Sequence, residues 1–265
     1  MSHALNASSS ALHGSSEPGQ PPVVLITGAL AGIGRATAVE FAQLGHRVVV
    51  SGRRPEVGAA LVEELRALGG EAEFVEADVR NEDDVRRLVD RSIERFGRLD
   101  IAINNAGTEG TPGPFVDQTL QTYESVFDTN VRGTLLSMKY ELLVMQRQKS
   151  GSIVNISSTM GERGAANMAM YVGSKHAVEG FTKSAAIEAA AHGVRVNAVA
   201  PGPTDTAMLD RLNLPGGKAA FYATVPLRRG GRPEEIAQAI VFVASEGASF
   251  ITGQIVRVNG GRTAS

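Results

Sequence analysis

The fold is decided by Val23-Val24-Leu25-Ile26-Thr27-Gly28-Ala29-Leu30-Ala31-Gly32-Ile33-Gly34. Its apolar beginning predicts a buried strand, Val23–Ile26, and its glycines predict a tight loop that leads into a helix ending near Gly45. Backbone N–H groups at such a helix start favour an anion, and the glycines allow a pyrophosphate to approach them closely. A glycine-rich turn that serves only helix–strand packing is the alternative for this loop alone.

Outward from the loop, short apolar runs alternate with amphipathic stretches. The further predicted strands are Arg47–Ser51, Glu71–Ala77, Leu99–Ile103, Ser152–Ile156, Val194–Ala200 and Gln254–Val258. The further predicted helices are Pro55–Leu68, Glu82–Phe96, Thr119–Arg147, Tyr171–Ala191 and Pro233–Ser245. Strands this apolar, alternating with helices, predict a parallel sheet that is covered on both faces. We therefore predict one doubly wound α/β domain over residues 22–265, with a seven-stranded parallel sheet.

Composition excludes several classes of protein. The 265 residues contain no cysteine, which rules out disulfides, thiolate zinc sites and iron–sulfur clusters. A net charge of −2 gives no electrostatic footprint for nucleic acid, and no apolar run reaches the roughly 18 residues of a membrane span. The five histidines lack metal-ligand spacing, so we predict no metal site. Residues 1–21 predict a flexible tail without a signal or transit peptide, and hence a cytoplasmic protein.

Two further motifs follow the glycine loop. Asn104-Asn105-Ala106-Gly107 comes after the fourth predicted strand, and Tyr171-Val172-Gly173-Ser174-Lys175 opens a predicted helix. Tyr171 and Lys175 are four residues apart, so both side chains project from one helix face. A nearby ammonium lowers a phenol pKa by about 1–3 units, which suits acid–base chemistry. The alternative for this pair in isolation is an accidental spacing on an amphipathic helix.

Together the three motifs resemble the short-chain dehydrogenase/reductase family, in order and approximate spacing, over residues 22–261. The resemblance implies a Rossmann fold and a nicotinamide-dependent oxidoreductase that interconverts a secondary alcohol and a ketone. It implies four catalytic residues, Asn130, Ser158, Tyr171 and Lys175. In these roles Tyr171 exchanges a proton with the substrate oxygen and Ser158 donates a hydrogen bond to it. Lys175 lowers the tyrosine pKa and binds the nicotinamide ribose, and Asn130 holds a water.

The family also implies a set of cofactor contacts beyond Tyr171 and Lys175. They are Gly28, Gly32, Ile33 and Gly34 for the pyrophosphate, Asp78 and Val79 for the adenine, Asn105, Ala106 and Gly107 for the floor of the groove, and Pro201, Gly202, Thr204 and Thr206 for the carboxamide. A helix cap at Asp78 and a plain turn at Pro201-Gly202 are the alternatives.

The end of the second predicted strand, Val50-Ser51-Gly52-Arg53-Arg54, bears on the choice of cofactor. Gly52 stands where NAD-dependent enzymes usually place an acidic residue for the ribose 2′-hydroxyl. Arg53 follows it, and a guanidinium binds a 2′-phosphate well. We therefore predict a preference for NADP(H), with NAD(H) possible, because Ala31 stands where many NADP-using relatives carry a second basic residue.

Residues 206–232 cover the substrate in the resembling family. Their apolar side chains, Met208, Leu209, Leu212, Leu214, Phe221 and Tyr222, with Pro215-Gly216-Gly217 as a hinge, favour a ketone or secondary alcohol of moderate size as the small-molecule partner. Packing of this segment against the core is the alternative. A 3-oxoacyl-thioester reductase and a non-catalytic redox sensor or scaffold remain open as functions. The family further implies a homotetramer built through the helices at 119–147 and 171–191 and through the region 233–258.

Overall fold

A computed structural model describes residues 20–212, 214 and 216–264. Its centre is one sheet of seven parallel strands in the order β3-β2-β1-β4-β5-β6-β7. The strands are β1 Val23–Thr27, β2 Arg47–Gly52, β3 Ala72–Glu76, β4 Ile101–Asn104, β5 Gly151–Ile156, β6 Val194–Pro201 and β7 Ile255–Val258. This sheet confirms the predicted doubly wound α/β fold. The predicted tail lies outside the described residues except for Gln20 and Pro21.

Helices cover both faces of the sheet. They are α1 Gly32–Gln43, α2 Pro55–Ala67, α3 Glu82–Phe96, α4 Leu120–Phe127, α5 Gly133–Gln148, α6 Ala169–Ala190, α7 Ala207–Asp210, α8 Gly217–Tyr222 and α9 Pro233–Ala244. On one face α1, α2 and α9 bury Phe41, Leu65 and Ile240 against the strands. On the other face α3, α5 and α6 bury Leu88, Met145 and Ala189. Each face thus has its own apolar core, as parallel strands without a wet face require.

The strand order reverses at β1, which lies between β2 and β4. The Cα atoms of Thr27 and Asn104 are register partners at the carboxyl ends of β1 and β4. The loops that leave these two strands therefore begin side by side. In open α/β sheets such a reversal point forms the crevice that binds a ligand.

The helix predicted over 119–147 is present from Leu120 to Gln148, but it is not regular along its whole length. Thr119 caps α4 through its side chain, which accepts a hydrogen bond from Thr122 N. Between α4 and α5 the chain forms one turn of π-helix, Asp128–Arg132, with Asn130 buried in its middle. Such π-turns are frequent at functional sites, and they leave no mark in the apolar periodicity that predicts a helix. The other predicted elements differ from the structure mainly at their ends.

The described part of the chain bears on the predictions about membrane spans and metal sites. None of the helices there combines the length and the apolar character that a membrane span needs. Over the same residues, no group of three or more histidine, aspartate or glutamate side chains is placed to hold a metal ion.

Candidate active site

The glycine loop between β1 and α1 lies against the loop that follows β4. Gly28 has a φ of 63°, and a Cβ there would lie 2.7 Å from Ala106 Cα. A Cβ on Gly34 would lie 2.5 Å from the Gly28 oxygen. Side chains at either position would collide with backbone, so these glycines are required for the close packing of the two loops. The alternative that the glycines serve packing is thus true of Gly28 and Gly34, and it does not exclude a phosphate site.

The start of α1 is open to a ligand. Its N-cap, Ala31, has no side chain that could bond to the first turn, and that turn contains no acidic residue. The first N–H groups of a helix have no partner within the helix, and the helix dipole makes this end favourable for an anion. Gly32, at the first position, has a φ of 54° and approaches Thr206. The loop and the helix start therefore fit a dinucleotide pyrophosphate.

The loop after β4 is fixed by polar contacts to β1. Thr27 Oγ1 accepts hydrogen bonds from the backbone nitrogens of Asn105 and Ala106, at 3.1 and 3.2 Å. The Asn105 amide returns bonds to the carbonyl oxygens of Thr27 and Gly28. Together they make a rigid floor for the crevice, on which Asn105 and Gly107 face the cavity.

Three of the four predicted catalytic residues line one cavity. Ser158 follows β5, and Tyr171 and Lys175 come from the first turns of α6. Lys175 Nζ lies 5.6 Å from the centroid of the Tyr171 ring and donates a 2.8 Å hydrogen bond to the Ile156 carbonyl oxygen. Ser158 Oγ accepts a hydrogen bond from Met160 N. The structure thus places a phenol, an ammonium and a hydroxyl around one space.

Burial shifts the pKa values of Tyr171 and Lys175 in opposite directions. Burial raises the pKa of Tyr171 to about 12; the nearby Ser158 hydroxyl lowers it and the charge of Glu109 raises it further. Burial also lowers the pKa of Lys175 to about 8, against an opposing effect of Glu179. That Lys175 lowers the pKa of Tyr171 stays a prediction.

Asn130, the fourth predicted catalytic residue, lies behind the cavity wall. Its amide nitrogen donates to the Thr108 carbonyl oxygen at 2.9 Å and to Ser174 Oγ at 3.0 Å, and its oxygen accepts from Thr108 N at 2.8 Å. Asn130 thus joins the loop after β4 to helix α6, next to Lys175. Two of these three bonds satisfy backbone groups of Thr108.

A buried ion pair supports the segment that carries Ser158. Glu179, one turn beyond Lys175 on α6, is buried and accepts a 2.8 Å hydrogen bond from Ser157 Oγ. Arg257 of β7 binds both carboxylate oxygens of Glu179 and also bonds to Glu162. The segment 157–162 is thereby held at both of its ends. A Cβ on Gly161 would overlap the Glu179 carboxylate, so only glycine at this position leaves space for the Glu179–Arg257 ion pair.

Arg53 and Asp78 meet at the other end of the crevice, beyond β2 and β3. The Arg53 side chain is 68% exposed, and its nearest nitrogen lies 4.0 Å from an Asp78 carboxylate oxygen. Arg80 binds that carboxylate with both Nε and Nη2 and holds the pKa of Asp78 below its ordinary value. The helix-cap alternative for Asp78 is wrong, because Asn81 caps α3 with its side chain. Val79 is buried and touches Gly133.

The rest of the cavity belongs to the segment after β6. Pro201, Gly202, Thr204 and Thr206 line it, and Gly202 packs on the Asn259 backbone, where a Cβ would lie 2.7 Å from Asn259 Cα. With its open mouth the space measures about 900 Å³. Its apolar wall consists of Met160, Met168, Met208, Leu209, Leu212 and Phe221. The other two predicted lid residues, Leu214 and Tyr222, do not line it, and Pro215 of the predicted hinge lies outside the described residues.

Several residues of this cavity were not found from the sequence. Glu109 is buried in the cavity wall and binds the Arg211 guanidinium of the lid through two hydrogen bonds, at 2.7 and 3.1 Å. Met160 and Met168 reach the cavity from the segment between β5 and α6, and Arg262 reaches it from beyond β7. None belongs to a motif. The position of Arg262, just beyond the last strand, was the one available signal, because ligands bind at the carboxyl ends of such strands.

A family model described as enoyl-(acyl carrier protein) reductase matches residues 28–263, which include the glycine loop, the catalytic-type residues and the lid. The chain belongs to the short-chain dehydrogenase/reductase family. It is therefore an oxidoreductase, as the three sequence motifs predicted.

Curated relatives within this family act on different substrates. The chain is 44% identical to A-factor type gamma-butyrolactone 1'-reductase (1S-forming) of Streptomyces virginiae, over 91% of this chain and 95% of the relative. It is 42% identical to a 3-oxoacyl-[acyl-carrier-protein] reductase of Synechocystis, over 90% and 96%. Identity to cis-4-hydroxycyclohexanecarboxylate dehydrogenase of Sinomonas cyclohexanicum is 41%, over 91% and 96%.

Solved structures of the family superimpose closely on this short-chain dehydrogenase/reductase. Levodione reductase matches with a TM-score of 0.89 at 35% identity, over 92% of this chain and 98% of that one. ElxO with NADP bound matches with a TM-score of 0.86 at 33% identity, over 93% and 100%. A tyrosine-to-phenylalanine variant of ElxO, solved with NADPH bound, matches equally well.

Proposed function

We propose that this protein interconverts a secondary alcohol and a ketone with a nicotinamide cofactor. The observation that carries the proposal is the convergence of Tyr171, Lys175 and Ser158 on one cavity that also reaches the uncapped start of α1. The bound cofactor supplies or accepts the hydride, and the protein supplies position and electrostatics. Gly28, Gly32, Ile33 and Gly34 hold the pyrophosphate, while the residues after β4 and β6 hold the nicotinamide end.

The proton is moved by Tyr171 in this proposal. A phenol with a pKa of about 12 is protonated at neutral pH, so it holds the proton that a reduced carbonyl oxygen needs. Ser158 donates a hydrogen bond to the same oxygen. The positive charge of Lys175 then stabilises the phenolate that remains, because an opposite charge nearby favours the ionised form. Asn130 fixes the position of the loop after β4 relative to helix α6, next to Lys175, through its hydrogen bonds to Thr108 and Ser174.

The test of this function is a screen of carbonyl compounds and alcohols that follows nicotinamide absorbance. We expect turnover of cyclic ketones such as 4-oxocyclohexanecarboxylate, since a relative is named for the corresponding alcohol. Turnover of acetoacetyl thioesters alone would favour the 3-oxoacyl-thioester reductase, the function named for another relative. Cofactor binding without turnover of any compound would favour a redox sensor or scaffold, and the presence of all four catalytic-type residues argues against it.

We further propose a preference for NADP(H) over NAD(H). Support comes from the absence of an acidic residue at Gly52 and from the exposed guanidinium of Arg53 beside the crevice. The two neighbouring structures with NADP or NADPH bound agree with this choice. Asp78 opposes it, because its carboxylate lies 4.0 Å from Arg53, although Arg80 neutralises part of its charge.

Arg53→Ala is expected to lower kcat/KM for NADPH by about tenfold and to leave kcat/KM for NADH within about twofold. The guanidinium makes charge-assisted hydrogen bonds only to the 2′-phosphate, and such bonds contribute about 1.5–3 kcal/mol. Steady-state kinetics with both cofactors measure the effect, and Arg54→Ala serves as a matched control at the adjacent exposed arginine. A wild-type preference for NADH would contradict the proposal, and so would an NADPH preference untouched by the mutation.

We also propose a cytoplasmic homotetramer. Large apolar side chains are exposed on the helices that form interfaces in the family, namely Leu135 and Leu143 on α5, Ile187 on α6 and Phe242 on α9. Such groups mark a protein–protein contact where they form a contiguous apolar patch. Light scattering is expected to give about four times the chain mass of 27.8 kDa. Phe242→Asp is expected to give a dimer, since it alters one of the two interfaces, whereas a wild-type monomer at micromolar concentration would contradict the assembly.

A further inference from the structure

One wall of the substrate cavity carries a positive charge that the reaction does not use. Arg262 lies two residues beyond Gly260, after β7, and lines the same cavity as Tyr171 and Ser158. Its guanidinium carbon lies 4.7 Å from the centroid of the Phe221 ring in the lid, and its Nη1 donates to Thr224 Oγ1. The charge is therefore held in a defined place at the lid, against an aromatic face.

Arg262 has no carboxylate partner among the residues that the structure describes. Three other cations near the cavity are paired: Arg211 with Glu109, Lys218 with Asp205 and Asp210, and Arg257 with Glu179 and Glu162. A second cation, Arg163, lies beside Arg262 and donates from Nη1 to the Arg262 carbonyl oxygen at 3.2 Å. Burial lowers the pKa of Arg262, and the charge of Arg163 lowers it further.

This arrangement costs free energy until an anion arrives. A partly buried guanidinium has lost some of its hydration, and the acceptor that the structure shows for this one is a neutral hydroxyl, Thr224 Oγ1. A second positive charge beside it adds repulsion. A carboxylate matches the planar guanidinium through two parallel hydrogen bonds, which are among the stronger ones in proteins.

We propose that Arg262 binds an oxyanion on the substrate, so that this enzyme acts on ketones or secondary alcohols that carry an acidic group. The proposal rests on the proposed function, because it assumes that the substrate fills this cavity. The favoured source of the oxyanion is a carboxylate on the substrate itself, which fits a lid that closes the cavity with apolar residues. A phosphate on the carrier part of a thioester substrate has the same chemistry, and the experiment distinguishes the two.

The kinetic test compares 4-oxocyclohexanecarboxylate with 4-oxocyclohexanecarboxamide, which differ in charge and hardly in shape. The wild-type enzyme is expected to prefer the acid by at least tenfold in kcat/KM. Arg262→Gln is expected to raise KM for the acid about 10- to 100-fold, the range for a hydrogen-bonded charge, and to leave the amide within about twofold. Arg262→Lys is expected to retain part of the preference. Arg228→Gln, at an exposed arginine outside the cavity, is the matched control.

Two further arms make the outcome unambiguous. Calorimetric titration of cyclohexanecarboxylate and cyclohexanecarboxamide in the presence of NADP⁺ measures the anion site without turnover. If no ketone is reduced but the acid binds to wild type and not to Arg262→Gln, the proposed function fails and the oxyanion site stands. The third arm compares acetoacetyl-coenzyme A with acetoacetyl-N-acetylcysteamine. If Arg262→Gln lowers kcat/KM for the coenzyme A form alone, the oxyanion that Arg262 binds is a phosphate. The proposal would be overturned if Arg262→Gln lowered kcat/KM equally for the charged and the neutral probes. It would also be overturned if the preference for the acid survived Arg262→Gln.

Discussion

Tyr171→Phe is expected to lower kcat by about 10²- to 10⁴-fold while the fold and cofactor binding are retained. The substitution removes only the hydroxyl that transfers the proton, and general acid–base catalysis contributes about this factor. The ring remains, so its packing beside Lys175 persists. A neighbouring structure in which a tyrosine is replaced by phenylalanine still contains NADPH, which agrees with intact cofactor binding.

The measurement is kcat at saturating cofactor, together with cofactor affinity from fluorescence titration. Tyr140→Phe is the matched control, because the Tyr140 hydroxyl bonds to Glu82 on the protein surface, away from the cavity. The control is expected to keep wild-type kcat. Retention of more than about a tenth of wild-type activity by Tyr171→Phe would contradict the proton-transfer role, and loss of cofactor affinity would point to a structural defect.

The parts of the site that the sequence predicted are those with a local cause. The Gly28 conformation and the close approach of Gly34 require glycine, and the i, i+4 spacing of Tyr171 and Lys175 requires only that the segment be helical. Both features can be inferred from a few adjacent residues. The alternation of apolar and amphipathic segments predicted a parallel sheet covered on both faces, but it did not predict the order of the strands.

The parts that could not be predicted depend on tertiary contacts. Glu109 and Arg211 are 102 positions apart in the chain and meet only when the lid folds over the loop after β4. Asp78 is bound by Arg80 and approached by Arg53, a competition that no motif encodes. The raised pKa of Tyr171 is a consequence of burial, and burial depends on the folded structure around the ring rather than on the adjacent residues of the sequence.

Two buried glutamates, Glu179 and Glu141, differ in whether a cation lies beside the carboxylate. Glu179 is buried with Arg257, whose guanidinium bonds to both of its oxygens. Glu141 of α5 is 1% exposed and accepts one 2.9 Å hydrogen bond, from the Asn104 amide, while its other oxygen has no partner among the residues that the structure describes. Burial raises the pKa of Glu141 to about 7, against the lowering effect of Asn104. A buried carboxylate without a cation is costly when it is charged.

Glu141→Gln is therefore expected to stabilise the protein at pH 8 and to leave its stability nearly unchanged at pH 4.5. Between its ordinary pKa of 4.5 and about 7, Glu141 keeps its proton in the folded protein and loses it in the unfolded chain, so stability falls as pH rises through this window. The full penalty applies above pH 7 and has an upper bound of about 3 kcal/mol. Glutamine accepts the Asn104 hydrogen bond without ever becoming charged.

Thermal unfolding at several pH values measures this effect, and a gain of about 2–4 °C is expected for each kcal/mol in a chain of this length. Glu179→Gln is the opposed control, because it removes the charge that Arg257 pairs with and leaves a buried guanidinium with a weaker partner. We expect it to lower the unfolding temperature at pH 8, by an amount that reflects a broken buried ion pair of about 3–5 kcal/mol. A Glu141→Gln variant that is less stable than wild type at pH 8 would show that the carboxylate is stabilised in the fold, since glutamine keeps the shape and the one hydrogen bond and removes only the charge.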